Sequence, residues 1–256
     1  MIWKRIQIKR VYGIGYLYAW LHRLAGVGLL LFLWAHIYAL SLLVEPDKFD
    51  LKVEWLNRLG LYYLEWLIAL PLIFHTINGG RLILYEVFDN RRDDLMAKWV
   101  AGITIIYTLI LLLVMYVANI SITPSIWVIA WLFGLGMAAI VIIGTSASKI
   151  GMPWKLQRIS GGILLLMLPV HMVLMHADPM AGHDAGTIVE RLQSDILIKV
   201  ADVIMVVSAL YHGAYGLMSI AKDYLTSITL IQSLLVLIGM VSVIFGWLGI
   251  KTLILL

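Results

Sequence analysis

The chain contains no cysteine. Disulfide bonds, cysteine-ligated iron–sulfur clusters and haem attached covalently through Cys-x-x-Cys-His are therefore excluded. Charged residues are also scarce: they make up 13% of the 256 residues, against about 25% in an ordinary soluble domain. No Gly-x-Gly-x-x-Gly or P-loop motif occurs, so no nucleotide site is indicated. The net charge of +4 is typical of loop charge on a membrane protein and does not indicate nucleic-acid binding.

What the sequence has in abundance is apolar residues, which make up 62% of the chain. Apolar runs of 18 or more residues recur, and as helices such runs can cross a bilayer of about 30 Å. The expected fold is all-α, a polytopic transmembrane helical bundle forming a single membrane domain, 1–256. We predict seven spans: about Gly15–Val44, Tyr62–Phe88, Lys98–Ala118, Pro124–Ala147, Leu156–His176, Leu197–Ala221 and Ile228–Ile250.

Basic residues indicate how these spans are oriented. They cluster before the first span, after the second, between the fourth and fifth, and after the sixth: Lys4, Arg5, Lys9, Arg10, Arg91, Arg92, Lys98, Lys149, Lys155 and Lys222. All fall on one side, which the positive-inside rule makes cytoplasmic. Residues 1–10 are interpreted as a retained basic flank. On the opposite, outer side we expect the loops Glu45–Leu61, Asn119–Thr123 and Ala177–Ile196.

One pattern is written twice, in Leu21–Leu40 and Leu156–Met175. In each copy an arginine, Arg23 or Arg158, is followed three residues later by Gly and thirteen residues later by His. The pattern extends to the next span of each half, where His75-x-x-x-Gly79 corresponds to His212-x-x-x-Gly216. An acid, Glu65 or Asp202, precedes each of these histidines by ten residues. We therefore predict two three-helix repeats, about 15–118 and 155–250, joined by an extra helix at about 124–147.

Four histidines lie deep inside apolar spans: His36, His75, His171 and His212. Polar residues in membrane helices are costly and tend to be functional. Neutral imidazoles from different helices can ligate one haem iron from opposite sides, and four such ligands would hold two b-type haems. Depth predicts the pairs: His36 with His171 at an outer haem, and His75 with His212 at an inner haem. Gly79 and Gly216, one turn beyond a histidine, are expected to leave space for a flat macrocycle.

The other polar residues near the spans are two arginines, two acids and three histidines. The arginines and the acids each have two interpretations. Arg23 and Arg158 either snorkel to the inner interface or bind haem propionates or a quinone carbonyl. Glu65 and Asp202 either lie at the outer interface or carry protons to an outer quinone site. His22 is expected to contact a propionate or a quinone. His176 and His183 are expected to be solvated.

The motifs resemble a known family. His22-Arg23-x-x-Gly26 and His75-x-x-x-Gly79-x-Arg81 resemble the larger cytochrome b anchor of succinate dehydrogenases, and His212-x-x-x-Gly216 with Asp223-Tyr224 resembles the smaller anchor. The chain thus resembles both anchors fused into one. The pair His36 and His171 is similar to the dihaem arrangement of single-subunit anchors in succinate:quinone and quinol:fumarate reductases.

The resemblance implies a function and its residues. Arg23, Asp223 and Tyr224 would form an inner quinone site, while Arg158 and Arg81 would contact propionates or quinone. The chain would carry electrons through two haems b between an iron–sulfur subunit and membrane quinone. The resemblance to dihaem anchors implies that this quinone is menaquinone. A flavoprotein subunit and the iron–sulfur subunit would lie on the cytoplasmic face of the inner (cytoplasmic) membrane, in the respiratory chain and tricarboxylic acid cycle.

Two alternatives stay open at this stage. A dihaem cytochrome b of a hydrogenase or formate dehydrogenase would use similar paired histidines, but without a flavin-containing partner. A haem-free secondary transporter could also contain two repeats, with its intramembrane polar groups binding substrate or ions. The small number of other polar residues in the spans disfavours the transporter.

Overall fold

The structure, a computed structural model, describes residues 13–89, 92–117, 124–146, 148–176, 182–194 and 196–256. Within this part of the chain there is no β-strand. The helices are α1 (Ile14–Ser41), α2 (Pro46–Arg58), α3 (Leu61–Val87), α4 (Asp93–Val117), α5 (Pro124–Ser146), α6 (Met152–His176), α7 (Ala185–Ser194), α8 (Ile196–Tyr224) and α9 (Ile228–Leu255). A 3-10 turn, Leu42–Val44, follows α1.

Six of the helices described, α1, α3, α4, α6, α8 and α9, are long and apolar enough to cross a membrane. Helix α5 contains a shorter apolar segment, Trp131–Ser146. Large apolar side chains point outward from the bundle, and Ile143 and Val243 are each 72% exposed. Lipid is the medium in which such a surface is stable. The prediction of a polytopic helical bundle with about seven spans is confirmed.

Four helices form a closed ring at the centre of the bundle. Helix α1 packs on α3 and α8, and α6 packs on the same two helices from the opposite side. The remaining long helices lie outside this ring: α4 packs on α3, α5 on α6, and α9 on α8 and α1. The ring therefore has two diagonals, α1 with α6 and α3 with α8, across which side chains from non-adjacent helices can meet.

Two short amphipathic helices, α2 and α7, cover one end of the ring, where loops were expected. Pro46 occupies the first turn of α2, where its missing N–H costs nothing. Before α7, the Asp184 carboxylate accepts hydrogen bonds from Thr187 N–H (2.7 Å) and Thr187 Oγ1 (2.6 Å), which lower the pKa of Asp184. The apolar faces, which include Phe49 and Ile188, join one buried cluster with α6 and α8. The prediction of loops at Glu45–Leu61 and Ala177–Ile196 thus missed these short helices.

Candidate functional site

Each helix of the central ring contributes one intramembrane histidine, and these histidines meet in pairs across its diagonals. His75 of α3 and His212 of α8 have ring centroids 6.2 Å apart and planes at 86°. His36 of α1 and His171 of α6 have centroids 6.3 Å apart and planes at 88°. We call these the inner and the outer histidine pair. The pairs are those that the sequence predicted from depth.

The spacing of both pairs is the spacing of two imidazoles bound to one metal. A metal–imidazole nitrogen bond is about 2.0 Å long, and a ring nitrogen lies about 1.1 Å from the ring centre, so two opposed ligands have centroids roughly 6.2 Å apart. The observed values are 6.2 and 6.3 Å. Neutral imidazole suits iron, and two axial histidines make a b-type electron-transfer haem. The residues present therefore fit two such groups.

Backbone carbonyls set the tautomer of the inner pair. His75 Nδ1 is 3.1 Å from the carbonyl oxygen of His22, and His212 Nδ1 is 3.3 Å from that of Gln157. A carbonyl oxygen only accepts hydrogen bonds, so each Nδ1 carries the proton and donates it. Nε2 is then left as the lone-pair nitrogen of both rings, and a second hydrogen bond of this kind orients a metal-binding histidine.

Two glycines allow the ring helices to approach these histidines. A Cβ at Gly26 would lie 3.0 Å from His75 Cε1, and a Cβ at Gly161 would lie 3.1 Å from His212 Cε1. The glycines that the sequence analysis selected lie elsewhere: a Cβ at Gly79 would be 3.7 Å from His22 Cε1, and one at Gly216 would meet the side chain of Gln157. Gly79 and Gly216 nevertheless both line the central cavity, which agrees with the expectation that they leave space there.

His22 lies flat against the inner pair. Its ring stacks on His75 with centroids 3.8 Å apart and planes at 4°. In the second half of the chain, Gln157 occupies the corresponding position beside His212. Both side chains line the central cavity, together with all four paired histidines.

The outer pair has a third histidine beside it. The ring of His176, in the last turn of α6, is 6.1 Å from that of His36 and 5.7 Å from that of His171. Ligand atoms of the three rings all lie within 4.8 Å of one another. His176 is therefore part of this site, although the sequence analysis placed it in solvent.

Two opposite charges lie at the outer end of the cavity. Asp202 of α8 and Arg191 of α7 both line it. Asp202 Oδ1 and Arg191 Nε are buried and have no hydrogen-bond partner within the part of the chain that the structure describes. Burial lowers the pKa of Arg191, and the Asp202 carboxylate opposes this shift. Arg191 was missed in the sequence because it lies in an expected loop.

Three residues meet at the opposite, inner end of the bundle. Arg23 of α1 donates from Nη1 to the hydroxyl of Tyr224 (2.9 Å) and from Nη2 to Oδ2 of Asp223 (2.7 Å). Trp20 lies beside Tyr224, with ring centroids 5.5 Å apart. The Arg23 and Asp223 side chains are 38% and 48% exposed. About 200 residues separate the partners in sequence, so the meeting depends on α1 packing against α8.

A second ion pair joins α6 to α3. Arg158 of α6 donates from Nε to Glu86 Oε2 at 2.9 Å, and Nη2 contacts the same oxygen. The Arg158 guanidinium lies 4.5 Å from the centre of the Trp154 ring. This pair is less exposed, at 20% and 34%. Arg158 was expected to contact a propionate or a quinone; in the structure it pairs with Glu86, which was not among the predicted site residues.

Of the remaining predicted residues, Arg81 lies outside these clusters. Arg81 is 6% exposed, and its Nε donates to Oδ1 of Asn78 at 2.9 Å. Arg81 is not among the described residues that line the cavity. Glu65 belongs to α3, but its side chain lies outside the described part of the structure. The cavity itself has a volume of about 540 Å³ and reaches from Arg23 to Arg191.

Comparison with known families agrees with the resemblance. The family described as succinate dehydrogenase/fumarate reductase transmembrane subunit matches the chain twice, at residues 9–112 and 144–248. No curated protein and no solved structure gives a significant match. The two family matches cover most of the 256 residues. The chain therefore belongs to the succinate dehydrogenase/fumarate reductase transmembrane subunit family.

Proposed function

We propose that this multi-pass membrane subunit carries electrons through two b-type haems between a peripheral iron–sulfur subunit and membrane quinone. The observation that supports this most is the spacing of the two histidine pairs, 6.2 and 6.3 Å across the ring diagonals. The double family match supports the further proposal that about 15–118 and 155–250 are copies of one three-helix unit, joined by a helix at about 124–147.

The residues that would hold each group follow from the geometry. His75 and His212 would ligate the inner haem, with His22 and Gln157 fixing the ligand tautomers through their carbonyls. His36 and His171 would ligate the outer haem. Groups bound at both depths would supply one-electron carriers between the two sides of the bundle. The polypeptide's part is to hold and orient the rings and to keep the carriers in an apolar cavity.

The inner cluster of Arg23, Asp223 and Tyr224 suits a quinone carbonyl. Arg23 donates to the phenol oxygen of Tyr224, so the Tyr224 hydroxyl can donate its own hydrogen to another acceptor. The positive charge of Arg23 makes that hydroxyl a stronger donor toward a carbonyl that gains negative charge on reduction. Asp223 holds the guanidinium in place and is itself exposed enough to exchange protons with water.

A second candidate places quinone at the outer end of the cavity, with menaquinone as the expected type. It is supported by the buried Asp202 Oδ1 and Arg191 Nε, which lack hydrogen-bond partners in the described residues. Glu65 would be the matching acid of the first repeat. We favour the inner cluster because it already contains an aligned donor, a cation and an exposed carboxylate.

We also propose the partners and the orientation of the subunit. A flavoprotein and an iron–sulfur subunit would bind at the inner end, the cytoplasmic side of the inner membrane, where the N-terminus also lies. The clusters of basic residues on that side, which include Lys149 and Lys155, support this orientation. Succinate chemistry would occur in the flavoprotein partner. The family match favours this assembly over a hydrogenase or formate dehydrogenase cytochrome and over a transporter.

The experiment that tests the proposal is a haem assay on the complex purified through this chain. We expect a reduced-minus-oxidised spectrum with a b-type α-band and about two haems per chain. We also expect co-purification of a flavin-containing subunit. A preparation without haem would overturn the proposal, and haem without flavin would favour the hydrogenase-type cytochrome.

A glycine substitution tests the close packing at the inner pair. Gly26→Ala would place a Cβ 3.0 Å from His75 Cε1 and push the ring from the His22 carbonyl. We expect about tenfold weaker retention of the inner haem, the usual cost of disturbing an outer-shell contact. The control is Gly28→Ala in the same helix, where a Cβ would meet nothing within 4 Å. Equal haem titrations for the two variants would contradict the packing argument.

A further inference from the structure

The outer site differs from the inner site in the number of histidines that can reach one metal. At the inner site, the third imidazole is that of His22, and it stacks face to face on His75 at 3.8 Å. A ring in that position lies parallel to His75, and among the described residues it makes no ring contact with His212, the histidine that it would have to oppose. At the outer site, the third imidazole is that of His176, and it does not stack on either partner.

His176 has the same spacing from His36 as the expected ligand has. The centroid distance is 6.1 Å for His36 with His176 and 6.3 Å for His36 with His171. Nitrogens bound to opposite sides of one metal are about 4 Å apart. The ligand atoms of all three outer histidines lie within 4.8 Å of one another. His176 is therefore as close to His36 as His171 is, and the three histidines together can hold one metal.

We propose that the outer metal centre is a three-histidine site, in which His36 is the common ligand and His176 can replace His171 on the iron. The inference rests on the proposed function, because it assumes a haem at the outer pair. It names a residue that the paired-histidine pattern does not contain. At the inner pair the third described histidine is His22, which stacks on His75.

The two ligand sets differ in a property that spectroscopy reads directly. The planes of His36 and His171 are at 88°, whereas those of His36 and His176 are at 47°. Perpendicular imidazole planes give a low-spin ferric haem a strongly anisotropic EPR signal with a large highest g value. As the planes approach parallel, the signal becomes rhombic and the highest g value falls. A change of ligand is thus distinguishable from loss of a ligand.

The test compares three variants of the complex by haem content and EPR. We expect His171→Ala to keep about two haems per chain, both low-spin, with the outer signal moved toward the rhombic type. His176→Ala should keep two haems with the wild-type spectrum. The double variant should keep about one haem, that of the inner pair. The unchanged inner signal reports that each variant is folded.

Two results would overturn the proposal. One is a His171→Ala complex that has lost the outer haem, and the other is one that keeps it in a five-coordinate, high-spin form. The failure of the proposed function would look different, because the wild-type complex would then lack two haems to begin with.

Discussion

Replacing His212 with alanine should halve the haem content of the complex, from about two haems per chain to about one. His212 and His75 are the only described histidines positioned to oppose each other at the inner site, because His22 stacks on His75. Removing one imidazole leaves the iron with a single protein ligand in a cavity lined by apolar side chains. His75→Ala should give the same loss.

The measurement is a quantitative haem assay with EPR of the oxidised complex. The outer signal, from His36 and His171, should persist in both variants. His183→Ala, in the segment between α6 and α7, is the matched control and should keep two haems. Retention of two low-spin haems in His212→Ala would show that the inner ligands were assigned wrongly. His171→Ala, in contrast, is expected to keep the outer haem. Removing one histidine ligand should therefore have different effects at the inner and outer sites.

Replacing Arg23 with glutamine should slow quinone turnover about 100-fold, which is the typical cost of removing one preorganised charged donor. The guanidinium joins Tyr224 and Asp223 through hydrogen bonds of 2.9 and 2.7 Å. Without it the Tyr224 hydroxyl loses its donor partner, and Asp223 loses its counter-charge. Haem content should not change, because no histidine of the inner or outer pair takes part in these hydrogen bonds.

This expectation is checked by steady-state reduction of a soluble quinone, with a succinate–dye assay to report the peripheral subunits. Arg58→Gln is the control substitution, because Arg58 forms an exposed ion pair with Glu54 in α2, at the other end of the bundle. Normal turnover in Arg23→Gln together with a large loss in Asp202→Asn would move the quinone site to the outer end of the cavity.

The helical bundle and the pairing of the four histidines were accessible from sequence for one reason. In a membrane helix, chain position measures depth at about 1.5 Å per residue, so residues at matching distances from a basic flank lie at matching depths. His36 and His171 each follow an arginine by thirteen residues, and their rings meet. The scarcity of polar residues in the spans made each histidine conspicuous.

Depth does not give rotation about the helix axis, so the sequence could not show which side chains of a neighbouring helix each residue meets. Gly79 and Gly216 share a face with their histidines on an ideal helix, yet they meet His22 and Gln157 of the neighbouring helix. The glycines that contact the inner histidines, Gly26 and Gly161, belong to the helices packed alongside. The packing of the four central helices determines which helix lies alongside each histidine.

By itself, then, the sequence determined the membrane class, the apolar spans and the four buried imidazoles, because these follow from local composition and spacing. Only the tertiary structure decided what lies across each diagonal of the ring. In the structure His176 lies beside the outer pair, and Arg158 pairs with Glu86. Arg23 donates hydrogen bonds to Asp223 and Tyr224. These contacts join residues far apart in the chain, and they are set by helix packing angles that no local pattern encodes.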